Sequence, residues 1–134
     1  MPRSRSTPSP ATGPRRDARP RPNDETFHLL TLVFNVTMAL EQLATVPPRE
    51  LKIHKGMLSL TTIDRLYAST VELKGVAIVA TLPGRCGSIL IDANHRIARA
   101  LDDGLTTFPG HVLTVEQSRG ICANPKLFDR LKDA

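Results

Sequence analysis

The chain has 134 residues, 40% of them hydrophobic and 23% charged, which suffices for one ordinary globular core and is too short for two. Its net charge of +5 comes from residues 1–23, where Arg3, Arg5, Arg15, Arg16, Arg19 and Arg21 face only Asp17, so residues 24–134 are neutral and carry no general basic surface. Residues 1–23 also hold six of the eleven prolines and little that can pack, a composition that cannot offset its ordering entropy; it predicts a disordered arm over 1–23 and a single folded domain over 24–134.

The basic start is not followed by the apolar stretch of a secretory signal, and the apolar run at 29–34 is too short to cross a bilayer. These features predict a cytoplasmic protein with no membrane contact. An Arg-rich arm can reach DNA phosphates through counterion release, and a solvated leader explains the same composition. Cys86 and Cys122 are far apart and form no C-x-x-C, which fits free thiols better than a disulfide scaffold; no zinc-ligand spacing occurs among them and His28, His54, His95 and His111.

Residues 27–36 are apolar and β-prone and predict a first strand. Residues 38–43 read as a short helical turn, and Pro47-Pro48 as a loop or extended entry. Residues 51–56 carry no decisive pattern. Leu60, Ile63, Leu66 and Tyr67 fall at helical spacing, with Ser59 or Thr61 available as N-cap, and predict a helix over 60–70. The apolar runs 74–82 and 88–91, joined by Pro83-Gly84-Arg85-Cys86-Gly87, predict an antiparallel hairpin. A helix over 94–103 would bury Ile97, Ala100 and Leu101 and stop at Gly104. Residues 108–113 can return as a strand, Thr114-Val115-Glu116-Gln117 has capping-box form, and Asn124-Pro125 opens a last helix carrying Leu127, Phe128 and Leu131. The sum is a compact α+β domain: a small mixed sheet with a β-hairpin and several short helices.

The junction at residues 91–99 breaks local rules. His95, Arg96 and Arg99 crowd the start of a helix whose end carries Asp102 and Asp103, so both termini oppose the macrodipole. An anion seated at the helix start would turn that penalty into attraction. Asn94 suits the N-cap, Arg96 offers a fork for bidentate phosphate or carboxylate binding, and Arg99 follows one turn later. Asp92 can orient a histidine, accept a ligand hydroxyl or meet a phosphate-bound Mg²⁺. Ordinary surface pairing of Arg96 and Arg99 with Asp102, Asp103 or Glu116 accounts for the same letters.

The strand, the loop Ile91-Asp92-Ala93-Asn94-His95-Arg96 and the Ala-rich helix ending in Asp-Gly resemble the ParB/sulfiredoxin-like superfamily, whose members often show D-G-[NH]-H-R at this junction. The similarity in element order extends over about 40–113. It implies a pocket where His95, Arg96 and the helix start hold nucleotide phosphates, CTP or ATP with Mg²⁺, with Asp92, Asn94 and Arg99 around them. In the sulfiredoxin branch a catalytic Cys precedes His-Arg; Asn94 stands there, which argues against sulfinic acid reduction. Partition proteins continue into helix-turn-helix and dimerisation regions, for which 134 residues leave no room. A branch of free serine kinases uses an acid from an earlier loop as base, and its nearest counterpart by sequence is Glu50. Ala93 replaces the usual glycine and adds a methyl at a position where glycine would serve close backbone approach or φ > 0. The expected function is a nucleotide-binding regulatory or DNA-associated domain, with a small-molecule phosphotransferase or a non-catalytic interaction protein as alternatives.

Overall fold

The computed structural model describes residues 13–133. Thr26–Leu29 (β1) and Leu32–Asn35 (β2) pair antiparallel, so the run expected to be one strand folds back on itself. Its turn, Leu30-Thr31, lacks the Gly, Asn or Asp that usually marks such a reversal. Leu30 takes φ +53° and is 94% exposed. β2 runs straight into α1 (Val36–Leu43), whose N-terminus is capped by the buried Asn35: its Oδ1 accepts the Met38 N–H at 2.9 Å.

Arg49–Lys52 (β3), Ala77–Thr81 (β4), Ser88–Asp92 (β5) and Thr107–Val112 (β6) form a sheet in the order β3-β6-β4-β5. The β4–β5 hairpin is antiparallel, as its turn residues predict, and β3–β6 is antiparallel too; β4 and β6 run parallel. Ala77 to Ala80 are all buried, because β4 lies inside the sheet and is covered on both faces. Alternate side chains therefore enter two cores. Ile78, Ala80, Ile89 and Ile91 join Phe34, Ile121 and Phe128, with Phe34 and Phe128 edge to face at 6.3 Å. Ala77, Val79 and Leu90 join Leu51, Ile97, Ala100 and Phe108.

The helices follow the sequence unevenly. α3 (Asn94–Asp102) ends at Gly104, φ +83°, as expected, but its N-cap is Ala93 and Asn94 is already helical. The helix expected over 60–70 contracts to one turn, α2 (Arg65–Ala68), capped by Asp64 and not by Ser59 or Thr61. Leu60, Leu66 and Tyr67 are exposed, so their helical spacing has no surface to bury against, and short helices depend on that burial. α4 (Val115–Gly120) carries the complete Thr114–Gln117 capping box. α5 (Pro125–Arg130) starts on a proline, but Asn124 does not cap it. That side chain instead staples the hairpin, accepting the Val33 N–H at 3.1 Å and donating to the Thr31 carbonyl.

Residues 1–12 of the expected disordered arm lie outside the described residues; residues 13–23 lie against the domain. Arg15 donates bidentately to Asp24 at 2.7 and 2.8 Å and to Glu41 at 2.8 Å, while Ala18 is buried and its carbonyl accepts from Asn35 Nδ2. Two acids outside the arm, Asp24 and Glu41, supply the partners, which the composition of 1–23 does not contain. No helix among the described residues is long and apolar enough to cross a membrane.

Candidate functional site

β5 ends at Asp92, and Ala93 turns the chain into α3 at φ +77°, a region that costs an L-residue ~1–2 kcal/mol. The methyl group at this position is thus held in the conformation that glycine favours. The first intrahelical bond runs from the Ile97 N–H to the Ala93 carbonyl at 2.8 Å, so the N–H groups of Asn94, His95 and Arg96 precede the helical ladder. These residues line a cleft of about 240 Å³ together with Glu25, Phe27, Tyr67 and Asp92.

The three basic side chains of α3 are each tied to the main chain of residues 64–74. His95 Nε2 accepts the Asp64 N–H at 3.0 Å, which leaves Nδ1 as the ring's donor. Arg96 Nη1 donates to the Lys74 carbonyl at 2.6 Å, and its Nη2 lies 3.5 Å from Asp92. Arg99 donates to the Ser69 and Val71 carbonyls at 3.2 and 3.0 Å and pairs with Asp103; it lies outside the lining of the cleft. The charges that violate helix-end rules therefore fasten the neighbouring segment onto the helix. Gly75 makes room for one of these fastenings: at φ +86°, a Cβ there would run into Arg96 Nη1. Asp102, at the opposite end, is paired with Arg65 at 3.5 Å.

Asn94 is 8% exposed, and its Nδ2 donates to the Leu90 carbonyl at 3.3 Å. Its Oδ1 is buried with no hydrogen-bond partner, an arrangement that ordinarily costs ~1–3 kcal/mol. Asp92 is also buried; burial pushes its carboxyl above the ordinary range, against the pull of Arg96 and of the Ala93 N–H. Glu25 is the acid that sequence reasoning missed. It sits just before β1, its N–H donates to Thr37 Oγ1 at 2.7 Å, and its carbonyl accepts from Val36 and Thr37 at the start of α1. Partial burial raises its carboxyl, the nearby Asp92 raises it further, and Arg96 opposes.

Glu50 is not brought here. It lies exposed on β3, opposite Pro109 and at the edge of the sheet farthest from β5, because chain order does not reveal strand order. The described residues contain no group of three His, Cys, Asp or Glu able to hold a metal by themselves. Cys86 is exposed and Cys122 buried, and neither is in a disulfide.

The chain matches no protein-family model, and comparison with curated proteins and with solved structures finds no match either.

Proposed function

We propose that the cleft at the start of α3 holds the phosphates of a nucleoside triphosphate, CTP or ATP, accompanied by Mg²⁺, in a ParB/sulfiredoxin-like domain that acts as a regulatory or DNA-associated module. The supporting observation is the Arg96 guanidinium and three N–H groups at a helix start lining one cleft. Those N–H groups and the Arg96 fork are the donors that phosphate takes. Asp92, Glu25 and Asn94 Oδ1 are hard oxygen acceptors of the kind Mg²⁺ accepts, and Mg²⁺ commonly relies on one or two carboxylates plus substrate phosphates. The residues therefore fit the ion as a companion of the nucleotide, whose phosphate charge it would neutralise.

Arg96 is already positioned by Lys74 and Asp92, so it meets an incoming phosphate with little side-chain entropy left to lose. Asp92 orients the guanidinium, and His95 offers its Nδ1–H. Contact with DNA falls to the arm, where Arg16 and Arg19 are exposed. Calorimetric titration with Mg²⁺ and each nucleoside triphosphate tests the reading. Binding should vanish in Arg96→Ala with thermal unfolding still cooperative, and absence of heat with every nucleotide refutes it.

One observation favours a second reading, phosphoryl transfer to a small hydroxyl-bearing substrate. Glu25 lines the same cleft with a raised proton affinity, which suits a base better than the distant Glu50 does. Under this reading Glu25→Gln stops turnover of a hydroxyl substrate while nucleotide still binds.

A further inference from the structure

Residues 64–74, which α3 fastens to itself, carry an aromatic ring to the mouth of the cleft. Tyr67 is the only tyrosine in a chain without tryptophan. Its main chain is fixed at both ends: the N–H donates to Asp64 Oδ1 at 3.1 Å, and the carbonyl accepts from Thr70 and Val71. The ring is not fixed in the same way. It touches His95 edge to face, with centroids 5.1 Å apart and planes at 74°, and is otherwise 53% exposed. The contact with His95 engages one side of the ring, and the exposed remainder stays open to a stacking partner.

We infer that Tyr67 is the platform on which the base of the bound nucleotide stacks, so that the site selects nucleotides over ring-free polyphosphates. This rests on the phosphate seat proposed above and extends it from the phosphates to the base. Three observations converge on it. Tyr67 lines the same cleft as Asn94 and Arg96, and its ring contacts His95, the second residue of α3. Phe27, from β1, lines that cleft as well, with its side chain packed against the core. A cleft of about 240 Å³ is smaller than the ~300–1,000 Å³ usual for a whole ligand, so a nucleotide seated by its phosphates would reach beyond it, and Tyr67, half exposed, is the lining residue able to meet the base. Aromatic faces bind bases by stacking with little regard to identity, at roughly 5- to 150-fold in affinity per base. The platform therefore selects a phosphorylated planar ring as a class and leaves the choice among bases to other groups.

The protein provides its own reporter. With a single tyrosine and no tryptophan, intrinsic emission on tyrosine excitation comes from Tyr67. The full chain is titrated with ATP and CTP in Mg²⁺ and, as the ring-free control, with inorganic tripolyphosphate. Nucleotides should change the emission and bind about 10-fold or more tighter than tripolyphosphate, while tripolyphosphate leaves the emission nearly unchanged. By calorimetry, Tyr67→Ala should erase that difference, Tyr67→Phe should keep it, and Arg96→Ala should weaken both kinds of ligand. Equal binding of nucleotide and tripolyphosphate, lost together in Arg96→Ala and indifferent to Tyr67→Ala, overturns the platform and leaves the phosphate seat standing. Failure of all ligands to bind overturns both.

Discussion

Replacing Arg15 by alanine probes the arm that composition alone assigns to disorder. Arg15 is 11% exposed and Asp24 6%, and the pair is bidentate at 2.7 and 2.8 Å, with two further bonds to Glu41 at 2.8 and 3.3 Å. Removing one partner of a buried ion pair costs ~3–5 kcal/mol, whereas an exposed pair contributes ~0–1. Asp24 keeps two other donors, the Arg21 N–H and Asn35 Nδ2, and Glu41 is exposed, so the loss should fall between those limits at ~2 kcal/mol. For a domain of this size that is a drop in Tm of ~6–12 °C. The effect also has a pH signature. The Arg15 guanidinium, aided by Arg21 and Asn35, holds the Asp24 carboxyl well below the usual range against the cost of burial. A depressed carboxylate contributes its stability above the ordinary aspartate range and loses it as pH falls through the folded-state value. The gap between the native chain and Arg15→Ala, followed by thermal unfolding, should therefore be full at neutral pH and narrow in strong acid. A Tm within ~1 °C of the native value at neutral pH, or a gap that persists unchanged in acid, refutes the reasoning.

Glu25→Gln should act with the opposite sign. The folded state raises the proton affinity of Glu25, so the native chain loses stability as pH climbs upward from the ordinary glutamate range. The variant should equal it in acid and exceed it by ~1–2 °C at neutral pH, the scale of an exposed charge interaction, in the same melts; a variant less stable at neutral pH contradicts this. Ser118→Ala removes a fully buried hydroxyl that accepts the Thr81 N–H at 2.9 Å and donates to the Thr114 carbonyl at 2.8 Å. Leaving the Thr81 N–H unsatisfied should cost ~1–3 kcal/mol in denaturant unfolding, and an unchanged midpoint would dismiss that hydroxyl as a tie between β4 and α4.

Local chemistry made much of this fold readable. The Thr114–Gln117 capping box, the Pro-Gly turn of the β4–β5 hairpin and the Gly104 stop depend on neighbours in sequence, and each stands where it was expected. What escaped depends on distant partners. Leu30 turns a hairpin without a turn residue, because β1 and β2 are held by pairing with each other and by Asn124 from the far end of the chain. The apolar spacing at 60–67 imitates a longer helix, yet the segment is held down from outside by side chains of α3. For the site, His95, Arg96 and Arg99 were visible as a breach of helix-end rules beside Asp92 and Asn94, and the structure places all of these but Arg99 on one cleft. Glu25 left no such trace. It reaches the cleft only because the start of α1 grips its backbone, whereas Glu50 was chosen for its place in the chain and lies at the remote sheet edge.

Arg96 and Arg99 grip carbonyl oxygens at Ser69, Val71 and Lys74, and His95 receives a main-chain N–H. Nearly every amino acid supplies those atoms, so the fastening does not depend on the exposed side chains of the segment, Leu66, Tyr67 and Leu73, though Ala68 is buried and Asp64 caps its turn. The border of the cleft can accordingly be rewritten one residue at a time without unbuckling it, which separates the question of what enters from the question of whether the framework holds.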